Sequence, residues 1–180
     1  LLDAVIRGVC GASWTCRLRL HPMTSRRAPS LVDGLRLKYR DLRDRGVFEI
    51  ETDMNDNTSL REARVMISDW SGAATEFAFA LGRPVLFVDT LRKLNNPSWR
   101  AFALPGIEEQ IRSEIGMVVA PSELAGIGAA LRSLDDERPG YAARMDEVCG
   151  RWIFNVGTAA EAGANHVLSL LSEDPPASPS

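Results

Sequence analysis

The chain has 180 residues, which is long enough for one α/β domain with its own hydrophobic core. Its 45% hydrophobic and 25% charged residues are typical of a soluble globular domain. No apolar run approaches the ~20 residues that a membrane-spanning helix needs, and the formal net charge of -3 argues against general nucleic-acid binding.

The first fifty residues combine two predicted helices with two predicted strands. Apolar side chains at helical spacing predict a helix over 1–11, and the alternating segment that follows predicts a strand stopped by Pro22. A second apolar stripe predicts a helix over 28–46 that ends at Gly46, before the strand VFEIE. This part holds ten Lys and Arg against five Asp and Glu, a bias that suits either a solvated surface or contact with phosphate or anionic lipid.

Strands and helices alternate through the rest of the chain. The S-x-x-E form of SLRE, residues 59–62, predicts a capping box that opens a short helix. Nearly continuous apolar runs at RVMIS and PVLFV predict two central parallel strands covered on both faces. The same patterns predict one more strand at 117–120 and helices at 72–81, 105–114, 122–134, 139–150 and 158–171.

This alternation defines the expected fold class. It predicts one α/β domain over 1–171 with a doubly wound, Rossmann-like parallel sheet, followed by a disordered Pro/Ser-rich tail over 172–180. The three cysteines form no CxxC pair and lie near no histidine cluster, which fits a reducing cytoplasm and predicts neither a metal site nor a bound cofactor. The chain begins with Leu1 inside a helical pattern, so we expect it to be part of a longer protein.

The segment ISDWSG, residues 67–72, predicts a ligand-binding edge where the third strand meets a helix. Ligands of open α/β sheets lie beyond the carboxyl ends of the strands, and a helix N-terminus there offers unpaired N–H groups to a phosphate. Ser71 either caps this helix or donates its hydroxyl to an anion, while Gly72, Ala73 and Ala74 are expected to leave the approach clear of side chains. Asp69 serves as a cap, as a backbone tether or as an acid of the site.

Other polar residues follow the strand ends. His21 ends the first strand and can hydrogen-bond a phosphate, although a lone histidine is more often structural. Glu76 lies one turn into the helix after ISDWSG, where it either accepts ribose hydroxyls or forms a salt bridge. Arg92 follows PVLFVD in a polar loop, where it either binds phosphate oxygens or stays solvated. The sequence has neither G-x-G-x-x-G nor the G-x-x-x-x-G-K-[ST] of a P-loop.

Three motifs occur here in the order found in one enzyme family: RLHP at 19–22, SDWSG at 68–72 and FNVG at 154–157. Over about residues 1–171 the chain resembles the CDP-glycerol glycerophosphotransferases, the teichoic-acid-polymerase-like enzymes. Their second domain carries an R-P-H-P-like strand end, a D-[YW]-S-[SG] turn and a [YF]-N-x-G helix start. The resemblance implies the C-terminal, donor-binding half of a B-type glycosyltransferase fold.

The resemblance also implies a site for a cytidine diphosphate-linked alcohol, with His21 and Ser71 on the pyrophosphate. Arg19 occupies the arginine position two residues before His21, Asp69 matches the motif acid, and Glu76 lies near where B-type transferases often place an acid. The implied reaction is attack of an acceptor hydroxyl on the β-phosphate, with cytidine monophosphate leaving. The family's catalytic base is a histidine of an N-terminal domain outside this chain, so the resemblance implies donor binding without turnover.

The identity of the donor stays open at this point. Trp70 and Gly72 replace the commoner tyrosine and serine, so a B-type glycosyltransferase or epimerase half that uses a UDP- or GDP-sugar is an alternative, as is a non-catalytic nucleotide-binding module. The implied acceptor is a polymer or lipid-linked hydroxyl of teichoic acid or capsule synthesis. The implied location is the cytoplasm, at the inner face of the membrane for many family members, with peripheral membrane contact through the part outside this chain.

Overall fold

The computed structural model describes residues 1–53, 55–91, 98 and 106–172. The helices are α1 (Leu2–Gly11), α2 (Pro22–Arg27), α3 (Pro29–Lys38), α4 (Arg40–Asp44), α5 (Thr58–Glu62), α6 (Gly72–Leu81), α7 (Ile107–Ile115), α8 (Ile127–Asp136), α9 (Arg138–Trp152) and α10 (Ala159–Ser172). The strands are β1 (Cys16–Arg19), β2 (Phe48–Glu51), β3 (Met66–Ser68), β4 (Val85–Val88) and β5 (Gly116–Val119). No helix in these ranges has the length and apolarity that crossing a membrane requires. Arg92 and the tail predicted to be disordered, from residue 173 onward, lie outside the described residues.

The described strands form two parallel sheets. β1 pairs with β2 in the smaller sheet, where Cys16 lies opposite Phe48. β3, β4 and β5 pair in this order in the larger sheet, where Ser68 lies opposite Phe87. Parallel strands need crossover connections, and helices supply them here. The predicted α/β class with parallel strands is therefore confirmed, while hydrogen bonding divides the described strands into two sheets.

β4 is the central strand of the larger sheet. Its four residues are buried, because β3 and β5 pair on its two sides and α7 and α8 contact it. β3 lies at the edge of this sheet, and its residues are half-buried. The expectation of two central strands is therefore confirmed for β4, whereas β3 is an edge strand among the described residues and is only half-buried.

α1 contributes to two clusters of buried apolar side chains. Ile6 and Cys10 pack with Tyr39 and Phe48 beside the smaller sheet, where the two aromatic rings meet edge to face with centroids 5.1 Å apart. Val9 packs into the other cluster, which includes β4 and buried residues of α6, α7, α8 and α9. One helix therefore joins the cores of both sheets.

Several local predictions are wrong. The helix predicted over 28–46 is divided at Tyr39, where the backbone has φ -107° and ψ 25°, into α3 and α4. Pro22 not only stops the first strand but also opens α2, since proline suits the first position of a helix. The capping box at Ser59 does not form: Asn57 is the N-cap of α5, and the Ser59 hydroxyl instead donates to Glu51 at 2.6 Å.

Candidate functional site

The turn between β3 and α6 forms the candidate site at the carboxyl end of the larger sheet. β3 ends at Ser68, two bent residues follow, and α6 begins at Gly72 after its N-cap. The indole Nε1 of Trp70 donates to the carbonyl oxygen of Thr90 at 2.9 Å, which ties this turn to the segment after β4. The turn is thus fixed beside the ends of two neighbouring parallel strands, where ligands of such sheets bind.

Ser71 is the N-cap residue of α6, yet its side chain makes no capping hydrogen bond. Its carbonyl oxygen accepts the N–H of Ala74 at 3.1 Å, so the first helical turn closes through the backbone. Ser71, Gly72 and Ala73 are exposed. Of the two roles considered for Ser71, capping is therefore not observed, and its hydroxyl is open to a ligand beside the positive end of a ten-residue helix.

Arg112 of α7 is a site residue that sequence analysis missed. Its guanidinium carbon lies 3.9 Å from the ring centroid of Trp70 and 5.0 Å from that of Phe87, and the residue is 6% exposed. Nη1 donates to Oδ1 of Asp89 at 2.9 Å, whereas Nε and Nη2 are buried without a hydrogen-bond partner among the described residues. Because arginine keeps its charge in proteins, two buried N–H-bearing nitrogens without acceptors are unfavourable.

A small crevice connects the turn with Arg112. Its cavity volume is about 10 Å³, close to the space of one water molecule. Its lining residues are Asp69, Trp70, Ser71, Thr75, Phe87, Glu108 and Arg112. Asp69 and Glu108 are the acidic residues of this lining, and Asp89 forms an ion pair with Arg112 at 2.9 Å.

The small residues after Ser71 occupy different environments. Gly72 and Ala73 are exposed, and a Cβ added to Gly72 would meet no atom within 4 Å. Ala74 is fully buried, because the helix turns this position toward the core, so its side chain does not stand in the approach. Glu76 is exposed and is not among the residues that line the crevice.

His21 and Arg19 lie at the carboxyl end of the smaller sheet, and neither lines the crevice. His21 is the N-cap of α2, where its Nδ1 accepts the N–H of Met23 at 3.1 Å. The structure therefore brings Asp69 and Ser71 together, and it places His21 after a strand of the other sheet.

Arg19 is paired within its own sheet edge. Nη1 contacts three acceptors: Oε2 of Glu51 at 2.7 Å, the carbonyl oxygen of Asp56 at 2.7 Å and Oγ of Ser59 at 3.2 Å. Hydrogen bonds from the side chain and then the backbone N–H of Thr58 lower the pKa of the Asp56 carboxyl, with a smaller contribution from Arg19. Arg19 thus joins β1 to β2 and to the loop before α5.

The helix spacing around Arg112 gives only a weak signal in the sequence. Glu108 and Arg112 are four residues apart and share one face of α7, a pattern typical of a solvent-exposed ion pair. Arg112 is nevertheless buried, because the rings of Trp70 and Phe87 cover it and Asp89 pairs with it. These partners come from two earlier strand ends, which spacing along one helix does not reveal.

Metal coordination has no candidate within the described ranges, since no three His, Cys, Asp or Glu side chains group there in a way that could hold an ion. No protein-family model matches the chain, and the comparisons with curated proteins and with solved structures gave no match. The resemblance to the glycerophosphotransferases therefore rests on the three quoted motifs.

Proposed function

We propose that the chain is the donor-binding domain of a transferase that moves glycerol phosphate from CDP-glycerol to an acceptor hydroxyl in cell-wall or capsule polymer synthesis. In this proposal the two sheets belong to the doubly wound, Rossmann-like C-terminal half of a B-type glycosyltransferase fold. The ordered motifs RLHP, SDWSG and FNVG support the proposal, as does the position of the first two at the carboxyl ends of parallel strands.

The observation that carries the proposal is the unused hydroxyl of Ser71 at the start of α6. A capping serine contributes ~1 kcal/mol to helix stability, and Ser71 forgoes this contribution because its side chain makes no capping bond. Gly72 and Ala73 leave the backbone N–H groups accessible to a phosphate. Asp69 and Glu108 line the crevice, and in this proposal they accept hydrogen bonds from glycerol or ribose hydroxyls.

The proposed reaction is a phosphoryl transfer. The acceptor hydroxyl gives its proton to a base outside this chain, and its oxygen forms a bond to the β-phosphorus of CDP-glycerol. The bond between that phosphorus and the bridging oxygen breaks, so that CMP leaves with the electron pair. The α6 N-terminus and the Ser71 hydroxyl stabilise the negative charge that develops on the phosphates. The proposal assigns donor binding and charge stabilisation to this chain and assigns no catalytic base within it.

Isothermal titration calorimetry with CDP-glycerol, CMP and UDP- and GDP-sugars tests the proposal. We expect CDP-glycerol to bind most tightly, and we expect Ser71→Ala to weaken its binding roughly 10- to 100-fold, because a hydrogen bond to a charged group is lost. Since Ser71 makes no capping bond, the urea midpoint of Ser71→Ala should equal that of the wild type.

His21 is tested with His21→Asn, because asparagine also caps helices well and preserves an acceptor for the Met23 N–H. If the folded double variant, His21→Asn with Ser71→Ala, binds CDP-glycerol more weakly than Ser71→Ala alone, the site spans both sheet edges. If the double variant binds as tightly as Ser71→Ala, the site is confined to the start of α6. Tighter binding of a UDP- or GDP-sugar than of CDP-glycerol would mean that the donor is a sugar nucleotide. Absence of binding to every nucleotide would contradict the proposal.

A further inference from the structure

Helix α10 is exposed along almost its whole length. None of its 14 residues is buried, and from residue 159 to residue 171 only Ala162 is half-buried. A helix of this length is marginal in water by itself, and most helices in proteins owe their stability to an apolar face that packs against a partner. A partner for α10 is therefore expected outside the described residues.

The side chains of α10 divide into an apolar half and a polar half. With about 3.6 residues per turn, one half of the helix surface carries small residues at 159, 160, 163 and 164 and then the large residues Val167, Leu168, Leu170 and Leu171. Glu161, Asn165, His166 and Ser169 lie on the other half. Ala162 lies there too, so the apolar half is the one that the described chain leaves exposed.

The middle of the apolar half has the spacing of a coiled-coil seam. Ala160, Ala164, Val167 and Leu171, here called the α10 seam, are four, three and four residues apart, as successive a and d positions are. If two copies of α10 pair antiparallel, Leu171 of one lies over Ala160 of the other, and Val167 lies over Ala164. Each large side chain then fills the space above a small one, which packs two helices closely.

Charge does not oppose this pairing of identical helices. The α10 seam contains no charged residue, so two copies bring no like charges together at its centre. Glu161 lies in the first turn of α10 and outside the apolar half, and antiparallel pairing places the two Glu161 carboxylates at opposite ends of the pair. The surface is therefore complementary to itself, as a two-fold interface requires.

The exposed apolar area is large enough for a dimer. Six large side chains at this end of the chain are 56–78% exposed: Phe154, Val156, Val167, Leu168, Leu170 and Leu171. At roughly 100 Å² each they present about 600 Å² per copy, or about 1,200 Å² in a pair, which reaches the range of specific protein interfaces.

We propose that the chain forms a two-fold symmetric dimer in which α10 packs antiparallel against α10 of a second copy through the α10 seam. Light scattering after size-exclusion chromatography should then give twice the 19.7 kDa of one chain, with a dissociation constant on the order of micromolar. A wild type that stays at the mass of one chain well above this concentration would overturn the proposal.

Leu171→Lys is the first variant. We expect it to weaken the dimer by at least ~100-fold, because the pair would bury an ammonium group without a partner. Leu171 is 78% exposed in the single chain, and lysine suits the last turn of a helix, so the variant should fold. Asn165→Lys adds the same charge on the polar half of α10 and is the matched control, with an unchanged dissociation constant.

Ala160→Leu separates the proposed packing from general stickiness. It makes the surface more apolar, so unspecific association would become stronger. In the antiparallel pair the added side chain instead collides with Leu171 of the other copy, and we expect the dimer to weaken about 10-fold or more. A dimer that is unchanged or tighter in Ala160→Leu would overturn the α10 seam.

Cysteine cross-linking tests the antiparallel direction. A mixture of Ala160→Cys and Leu171→Cys should form a disulfide between the two variants on oxidation in air, with wild type and its three native cysteines as the background. Each variant alone should not cross-link through its new cysteine, since the two copies of one position lie about 16 Å apart along the pair, beyond the ~7 Å that a disulfide spans. Cross-linking of each variant alone, without cross-linking in the mixture, would mean that the helices pair in parallel and would overturn the proposal.

Discussion

Two arginines at the carboxyl ends of the two sheets differ in how completely they are paired. Both side chains are mostly buried, 15% exposed for Arg19 and 8% for Arg112. Arg19 shares one nitrogen among a carboxylate, a carbonyl oxygen and a hydroxyl of its own edge. Arg112 has one carboxylate partner, and its other two nitrogens have none among the described residues. A satisfied buried network stabilises a fold, while unused buried donors oppose folding.

Under the proposed function, this difference distinguishes a structural edge from a candidate ligand-binding edge. At the smaller sheet, the polar groups pair with groups of the protein: Arg19 donates to Glu51, and the His21 ring caps the short helix α2. At the larger sheet, the side chain of Ser71 makes no capping bond, and Nε and Nη2 of Arg112 have no partner among the described residues. Substitutions at the edge of the smaller sheet should therefore lower stability more than ligand binding. Substitutions at the edge of the larger sheet should lower ligand binding more than stability.

The largest effect on stability is expected for Arg19→Met. We expect it to lower the free energy of unfolding by about 2–3 kcal/mol, because the mostly buried carboxylate of Glu51 would keep only the more distant Arg17, at 3.8 Å, as a cationic partner. Arg112→Met should cost less than about 1 kcal/mol, since it also removes two unsatisfied nitrogens and leaves the half-exposed Asp89 in water. Urea unfolding with linear extrapolation measures both values.

Arg132→Met provides the baseline for this comparison, because Arg132 is exposed on α8 and should lie within ~0.5 kcal/mol of the wild type. Equal destabilisation by Arg19→Met and Arg112→Met would mean that both edges are structural. The contrast between the edges would then be lost.

A smaller effect, confined to binding, is expected for Gly72→Ala. The added methyl group meets no atom of the protein within 4 Å, and alanine is the better helix former, so the free energy of unfolding should be unchanged or slightly raised. The methyl group nevertheless enters the space through which a phosphate approaches the start of α6. We expect calorimetry to show CDP-glycerol binding weakened about 5- to 10-fold, roughly 1–1.4 kcal/mol.

Gly140→Ala is the matched control for this glycine. It makes the same change in the first turn of α9, where a Cβ also meets nothing within 4 Å and no crevice residue lies. Its affinity for CDP-glycerol should equal that of the wild type. If Gly72→Ala binds CDP-glycerol as tightly as the wild type, the phosphate does not bind at the start of α6.

The sequence predicts the elements of the larger sheet well because local signals agree there. The predicted bounds of α6, 72–81, are those observed, since Ser71 opens the helix and Gly82 closes it in the left-handed conformation with φ +60°. The apolar run at β4 likewise predicts a buried strand. Prediction fails at Ser59, where the local capping pattern competes with a tertiary partner, Glu51, and the tertiary hydrogen bond forms instead.

The candidate site is predicted only in part, for a related reason. Asp69 and Ser71 are visible in the sequence because they adjoin a strand end and a helix start, and both line the crevice. Arg112 is not visible, because its burial depends on Trp70 and Asp89, which adjoin the ends of two other strands. The motif shows which groups the turn between β3 and α6 supplies, whereas the position of the Arg112 charge next to that turn depends on packing between elements.

The smallest effect is expected from pH at the structural edge. Hydrogen bonds from Thr58, first from its side chain and then from its N–H, lower the pKa of Asp56 from the ordinary value of 3.8. A lowered pKa in the folded state means that the ionised carboxylate stabilises the fold above this ordinary value and that the contribution disappears as the pH falls through the folded-state pKa. Asp56→Asn has a neutral side chain that still offers an oxygen to the Thr58 N–H, so it mimics the protonated acid. Urea midpoints of wild type and Asp56→Asn should therefore differ at neutral pH and converge below about pH 3.8. Parallel midpoints down to the lowest pH at which both variants fold would show that the charge of Asp56 does not stabilise the loop that Arg19 holds.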